Sequence, residues 1–328
     1  MSLDFELDDA QRAMAGSVAQ LCRDHAAALA GQDFPDTAWR ALGALGALAV
    51  ATPEGDGSAV NASAVMEALG AAGFPGPLAA AFLAASLLPP DDPNRDAVTS
   101  GRAMVAAGTP PLLPFAPRAA LFVWLEGDRA WRARPIGPIE PVDTLGGEPW
   151  GRVQLERGAE LPGAGAARAL AEVAAAAYLG AAGQALVDAT AEHVRTRKQF
   201  GRALGEFQAV AHPLADCAIR LAAAGTLARV AAAGLDASGL GVGGRVSDTE
   251  ARRARVDAAV ARLSAGAAAL RAAEVCTQAF GAMGVLREGP AWPLVRRIRQ
   301  AASSPPDDGA ARATVLGELG LPRARSAA

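Results

Sequence analysis

Two long apolar helical runs meet at a polar break, and that break limits what the chain can fold into. The runs cover residues 166–196 and 206–235. Between them stands Arg197-Lys198-Gln199-Phe200-Gly201-Arg202-Ala203-Leu204-Gly205. A helix of about 30 residues is about 45 Å long, the full width of a domain. Ser247-Asp248-Thr249-Glu250 has the spacing of a capping box and opens a third run to about residue 280. A shorter fourth helix, 290–300, is closed by Ser303-Ser304-Pro305-Pro306-Asp307-Asp308. Long helices with short connections predict an antiparallel four-helix bundle over residues 163–328, with the glycine tract 239–244 as a loop. Alanine-rich faces let such helices approach closely. With aromatics at only 5% of the chain, further helix burial between subunits is expected.

Upstream the texture differs. Residues 4–30 carry an apolar stripe (Phe5, Leu7, Met14, Val18, Leu21) behind the acidic start Asp8-Asp9. Phe34-Pro35-Asp36 breaks that helix, and Asp36 is placed to N-cap a second over 37–48. Thr52-Pro53-Glu54-Gly55-Asp56-Gly57 reads as a loop. A third helix covers 61–70, and Pro75-Gly76-Pro77 opens a fourth that ends at Pro89-Pro90. Residues 1–98 therefore form a helical domain. From 99 to 162 proline and glycine become dense, and short β-runs stand out at 103–106, 119–125, 131–134 and 152–155. Glu126-Gly127-Asp128 joins two of them with hairpin chemistry. The fold class is mainly α with a small, reduced middle β-domain, thin for a sheet that must also hold a ligand.

Several functions are excluded or disfavoured. A net charge of −3 argues against nucleic acid binding. Basic groups at 195–202, 252–255 and 296–299 read as solvated faces or helix-end charge. Cys22, Cys217 and Cys276 are far apart and read as buried thiols of a reducing compartment. The N-terminus lacks a signal peptide pattern, and no 18-residue stretch has the uninterrupted apolar character of a membrane span. The expected location is cytoplasmic. His25, His193 and His212 show no metal spacing and read as surface or core histidines. There is no nucleophile elbow, P-loop or Rossmann fingerprint.

Two segments resist a bland reading. Arg197 follows the end of a long helix, where a guanidinium can grip a phosphate bidentately. Gln199 and Phe200 add an amide and an aromatic face, and Gly201 and Gly205 allow close backbone approach. Gln278-Ala279-Phe280-Gly281-Ala282-Met283-Gly284 again pairs an amide with glycines at a helix end. The spacing fits a cradle for a pyrophosphate-containing cofactor and equally fits ordinary glycine C-caps.

The run R-K-Q-F-G-x-x-x-G-E-F-Q, followed by L-A-D, closely resembles the signature of the acyl-CoA dehydrogenase family. Gln278-x-x-Gly281-Ala282-Met283-Gly284 resembles that family's Q-x-x-G-G-x-G segment, with alanine for its second glycine. Asp4-Phe5-Glu6-Leu7 with Gln11-Arg12, and Trp39-x-x-Leu42-Gly43-x-Leu45-Gly46, resemble its N-terminal helical domain. The resemblance implies that Arg197, Gln199, Phe200, Gln208, Gln278, Gly281 and Gly284 touch FAD, much of it the flavin of a neighbouring subunit in a tetramer. It also implies an acyl-CoA substrate and an electron-transfer flavoprotein as acceptor. The family's reaction needs a carboxylate to take the α-proton of the thioester. Its two glutamate positions fall here at Pro305 and Ala171, and neither is acidic. Glu172 is adjacent to the second, but one step along a helix turns a side chain by about 100°; it is kept as an alternative base. The usual flavin-covering loops of the middle domain are absent from the sequence. The chain is thus expected to be one subunit of a heteromeric dehydrogenase whose second, related subunit supplies the base. The alternatives are a complete homotetramer with an unusual base and a flavin-free scaffold.

Overall fold

A computed structural model describes residues 7–31, 33–52, 57–144, 146–239 and 247–321. Asp4-Phe5-Glu6, Pro53 to Asp56 and the glycine tract 240–244 lie outside the described residues. The described chain is mainly helical with a small β region. The N-terminal helices are α1 (Asp9–Asp24), α2 (Ala26–Ala30), α3 (Asp36–Ala44), α4 (Ala59–Ala71), α5 (Leu78–Leu87) and α6 (Pro93–Thr99). The single helix expected over 4–30 is two, parted at His25. Asp36 is not the cap: Pro35 is, and Asp36 is the first helical residue, adding acidic charge to the first turn. Helix α6, begun by Asp92 and Pro93, is not expected from the sequence because its proline-rich start looks like pure loop.

Seven strands follow. β1 (Met104–Gly108), β3 (Ala119–Glu126), β4 (Arg129–Pro135) and β7 (Leu155–Leu161) form one sheet in the order β1-β3-β4-β7. β2 (Leu112–Pro114), β6 (Trp150–Arg152) and β5 (Glu140–Val142) form a second. The hairpin expected at Glu126-Gly127-Asp128 is present: Glu126 pairs Arg129, and Gly127 adopts φ 55°. β2 and β5 escape a pattern reading because each is three residues long and contains proline. Ala106, Leu113, Phe122, Val153 and Leu155 form a small core of their own.

The remaining helices are α7 (Ala164–Thr196), α8 (Gln208–Ala237), α9 (Asp248–Ala279), α10 (Ala282–Val285), α11 (Trp292–Ser303) and α12 (Asp308–Glu318). α7, α8, α9 and α11 form the expected bundle, and α12 lies along α9. Between α7 and α8 sits a hairpin of two short strands, β8 (Lys198–Gln199) and β9 (Arg202–Ala203). The Ser247–Glu250 capping box opens α9 as expected. Over residues 167–180 α7 is buried on every side, and it is the central helix. By length and composition α7 and α8 could each cross a membrane, contrary to the expectation that no such stretch exists. In α7, however, 83% of the apolar window is buried within the fold, against 33% in α8. Small residues set the spacing around α7. A Cβ on Gly70 of α4 would lie 2.2 Å from the Tyr178 carbonyl oxygen, so only glycine fits. The chain's one tyrosine, Tyr178, donates its hydroxyl to the Phe74 carbonyl at 2.9 Å. Asp236 of α8 accepts from the Ser58 hydroxyl and the Ala59 and Val60 N–H groups, so α8 caps α4.

One charge reading is corrected. Arg296 and Arg297 are not on a solvated face: both are buried. Arg297 pairs with buried Glu148, and Arg296 donates to the Gly31 carbonyl at 2.5 Å beyond the end of α2. Among the other buried arginines, Arg262 on α9 is fully enclosed. The three cysteines are buried and free, as expected.

Candidate functional site

The polar break is built by a chain reversal. α7 stops at Arg197, whose N–H still bonds the His193 carbonyl at 2.9 Å. Gln199 then pairs Arg202 across a two-residue loop, Phe200-Gly201, with φ of 52° and 82°. Two positive φ values in a row give the twist a tight hairpin needs. Gly201 adopts one freely; for Phe200 the other costs about 1–2 kcal/mol. The strained Phe200 is nonetheless 91% exposed, edge-on to Phe207. Glu206 then bonds the Ala203 N–H, and α8 begins.

Across from this turn, α9 ends at Phe280. Gly281 takes φ 61° and its N–H closes on the Gln278 carbonyl. Gly284 is obligatory for another reason: a Cβ there would lie 2.1 Å from the Thr277 carbonyl oxygen. The two helix ends are joined where the His193 and Phe280 rings lie 4.4 Å apart at 30°.

Between them runs an open groove of about 960 Å³. Arg197, Gln199, Gln278 and Gly281 all line it. Phe200, Gln208 and Gly284 do not: Phe200 projects to solvent, Gln208 is the exposed first residue of α8, and Gly284 packs behind the turn. The groove also contains Arg271, Glu274 and His193, which the motifs do not include. Arg271 could have been found, since it stands two helical turns before Gln278 and shares its face. The Arg197 side chain has no ion pair among the described residues. Arg271 holds only an exposed contact to Glu274 at 3.3 Å. Pro213, one turn into α8, removes the N–H that would have bonded the Ala209 carbonyl, and both residues border the groove. Burial, with Arg197 nearby, holds the His193 imidazole below its ordinary range. Two open guanidiniums, two amides and a glycine turn free of side chain suit a ligand with a diphosphate and hydrogen-bonding edges.

A second cavity, about 640 Å³, lies between the β region and α12. Pro305 forms part of its wall, as do Trp150, Arg168 and Arg255. Its carboxylates are all engaged. Asp128 faces Arg168 at 3.3 Å, Glu318 pairs Arg252, and Asp307 caps α12 through the Ala310 N–H at 3.0 Å. Arg262 braces the turn behind Pro305. It donates to the Pro306 carbonyl at 3.2 Å, the Ala302 carbonyl at 2.9 Å and Asp308 at 2.9 Å. On the other side of Pro305 is a small void of about 50 Å³, closed by the Arg297–Glu148 pair and Tyr178.

Ala171 is fully buried in α7 and Glu172 is 1% exposed; neither lines either cavity. The Glu172 Oε1 has no hydrogen-bond partner. Burial pushes its carboxyl up to about 7, partly opposed by Arg168 and Arg262. Among the described residues no His, Cys, Asp and Glu cluster could hold a metal ion.

The family model for the acyl-CoA dehydrogenase C-terminal domain matches residues 168–309. The acyl-CoA dehydrogenase IpdE2 of Mycobacterium tuberculosis is 32% identical over 235 residues, covering 63% of this chain and 71% of that protein. The same fold occurs in the ChsE4-ChsE5 complex from Mycobacterium tuberculosis. There the TM-score is 0.77 at 23% identity, over 98% of this chain and 100% of that one. It occurs also in the Tcur3481-Tcur3483 steroid ACAD variant, with TM-score 0.76, 21% identity and coverage of 95% and 98%. The groove motifs and these likenesses together identify the chain as a member of the acyl-CoA dehydrogenase family.

Proposed function

We propose that this chain is one subunit of a heteromeric, FAD-dependent acyl-CoA dehydrogenase that oxidises a bulky, sterol-type acyl thioester. A related partner subunit supplies the catalytic glutamate and most of the flavin ring pocket. This chain contributes Arg197, Gln199 and Gln278 to the adenosine-diphosphate end of the partner's FAD. Phe200, Gln208, Gly281 and Gly284 complete that contact once the partner is seated. The exposed apolar face of α8 is buried in the assembly, a heterotetramer, and an electron-transfer flavoprotein is the acceptor. The same reading divides the chain at residues 98 and 162 and locates the protein in the cytoplasm.

One contrast carries this reading. The groove keeps Arg197, without an ion pair among the described residues, and Arg271, held only by an exposed contact to Glu274. The wall at Pro305 offers proline where a base is needed, and every nearby carboxylate is already engaged. When bound, FAD would supply the hydride acceptor. This chain's residues would hold its phosphates and exclude water from the helix ends. The test is to purify the protein alone and with the product of a neighbouring dehydrogenase-like gene. Flavin occupancy and turnover are expected only in the complex; both in the lone chain would overturn the proposal.

A homotetramer using Glu172 has one observation in its favour, since a carboxyl near 7 has the proton affinity of a general base. Abolished turnover in Glu172→Gln would establish it. A flavin-free scaffold is separated by the visible absorbance of the purified complex.

A further inference from the structure

We propose that His193 couples the groove to protons, becoming the third cation of the site when a dinucleotide diphosphate is bound. The inference rests on the FAD reading above and goes beyond it, because it concerns regulation of that site by pH.

The groups around His193 are few. On its own helix Arg197 follows one turn later and borders the groove; Glu192 and Arg195 pair with each other. From α9 come Arg271 and Glu274, an exposed pair at 3.3 Å, and the neutral Gln278. The closing turn contributes the Phe280 ring at 4.4 Å. α8 lends only Ala209, Val210 and Pro213 to the groove, none of them titratable. In the free groove two guanidiniums therefore face one carboxylate, and the imidazole is disfavoured as a cation by burial and by Arg197. The neutral ring stacked on Phe280 is the ground state at neutral pH.

A bridging diphosphate reverses that balance. Its negative charge raises the proton affinity of an adjacent imidazole. By linkage, a site that gains proton affinity on binding takes up a proton as ligand enters, and binds more tightly as pH falls. The window opens at the occupied site's raised value and ends at the free site's lowered one. FAD is a suitable probe because its diphosphate diester has no ionisation of its own near neutrality.

The experiment is calorimetric titration of FAD into the flavin-stripped complex of this chain and its partner, from pH 8 to pH 6, in buffers of different ionisation heat. Wild type is expected to take up protons and to bind FAD about three- to tenfold more tightly at pH 6, since a tenfold rise in the proton affinity of the imidazole strengthens binding by at most about tenfold. His193→Gln should bind as wild type does at pH 8 and show no uptake. His193→Lys, a fixed cation, should restore tight binding at both pH values. FAD binding with no proton uptake and a pH profile unchanged by His193→Gln would overturn the coupling and leave the FAD reading standing. Failure of the complex to bind FAD at all would overturn both.

Discussion

The groove at the α7–α8 break and the packed layer behind Pro305 both contain arginines and carboxylates, yet they are built in opposite ways. In the groove the charges are exposed and are loosely held or unpaired. Behind Pro305 they are locked: Arg262 has no exposure and donates to three backbone carbonyls and Asp308, and Arg297 and Glu148 are sealed together. A buried ion bound on several sides serves packing, because its loss strands the partners. An exposed ion on a helix end costs the fold little and remains available to a ligand. Recognition thus belongs to the first region and architecture to the second.

The most damaging way to test that division is Arg262→Ala. It strands Asp308 and the carbonyls of the Pro305 turn, and should cost about 3–5 kcal/mol in denaturant unfolding. Arg197→Ala should do the reverse. Unfolding should change by less than about 0.5 kcal/mol, while FAD affinity of the assembled complex falls about tenfold or more, the loss of a charged hydrogen bond. If Arg197→Ala unfolds the chain or Arg262→Ala leaves it untouched, the division fails.

Glu172 sharpens the comparison from within the packed region. Its carboxyl is held at about 7 against an ordinary 4.5, chiefly by burial. The native state therefore holds a proton that the unfolded chain has lost between those values, and wild-type stability falls as pH rises through that window. Glu172→Gln should abolish that fall. It should be more stable than wild type by about 1–3 kcal/mol at pH 8 and equal to it below about pH 4.5. Turnover of the complex should be unchanged. The smallest effect is expected at Phe200. Phe200→Gly relieves a left-handed residue and should raise the lone chain's stability by at most about 1 kcal/mol, while weakening the complex.

Much of the architecture was legible in local text. The Ser247–Glu250 box, the Glu126–Arg129 hairpin and the long α7 run each follow from a few neighbouring residues and formed where expected. β2, β5 and α6 were not legible, being short and proline-marked, with a propensity signal no stronger than that of a loop. The groove was half legible. Arg197, Gln199, Gln278 and Gly281 converge as their motifs suggested, and Arg271 follows from the helix face it shares with Gln278, whereas His193 joins them only because two helix ends meet.

By itself the sequence determined the long helices of the bundle, the polar break and the lack of a glutamate at positions 171 and 305, since these are matters of residue identity and short-range spacing. The tertiary structure alone decided which of 31 basic residues are buried. Arg296 and Arg299 belong to one basic run; Arg296 is sealed against the end of α2, while Arg299 is exposed. A one-dimensional pattern specifies which residues share a helix face. Whether that face meets water, a carbonyl or a carboxylate depends on the element packed against it, and that is fixed only when the whole chain has folded.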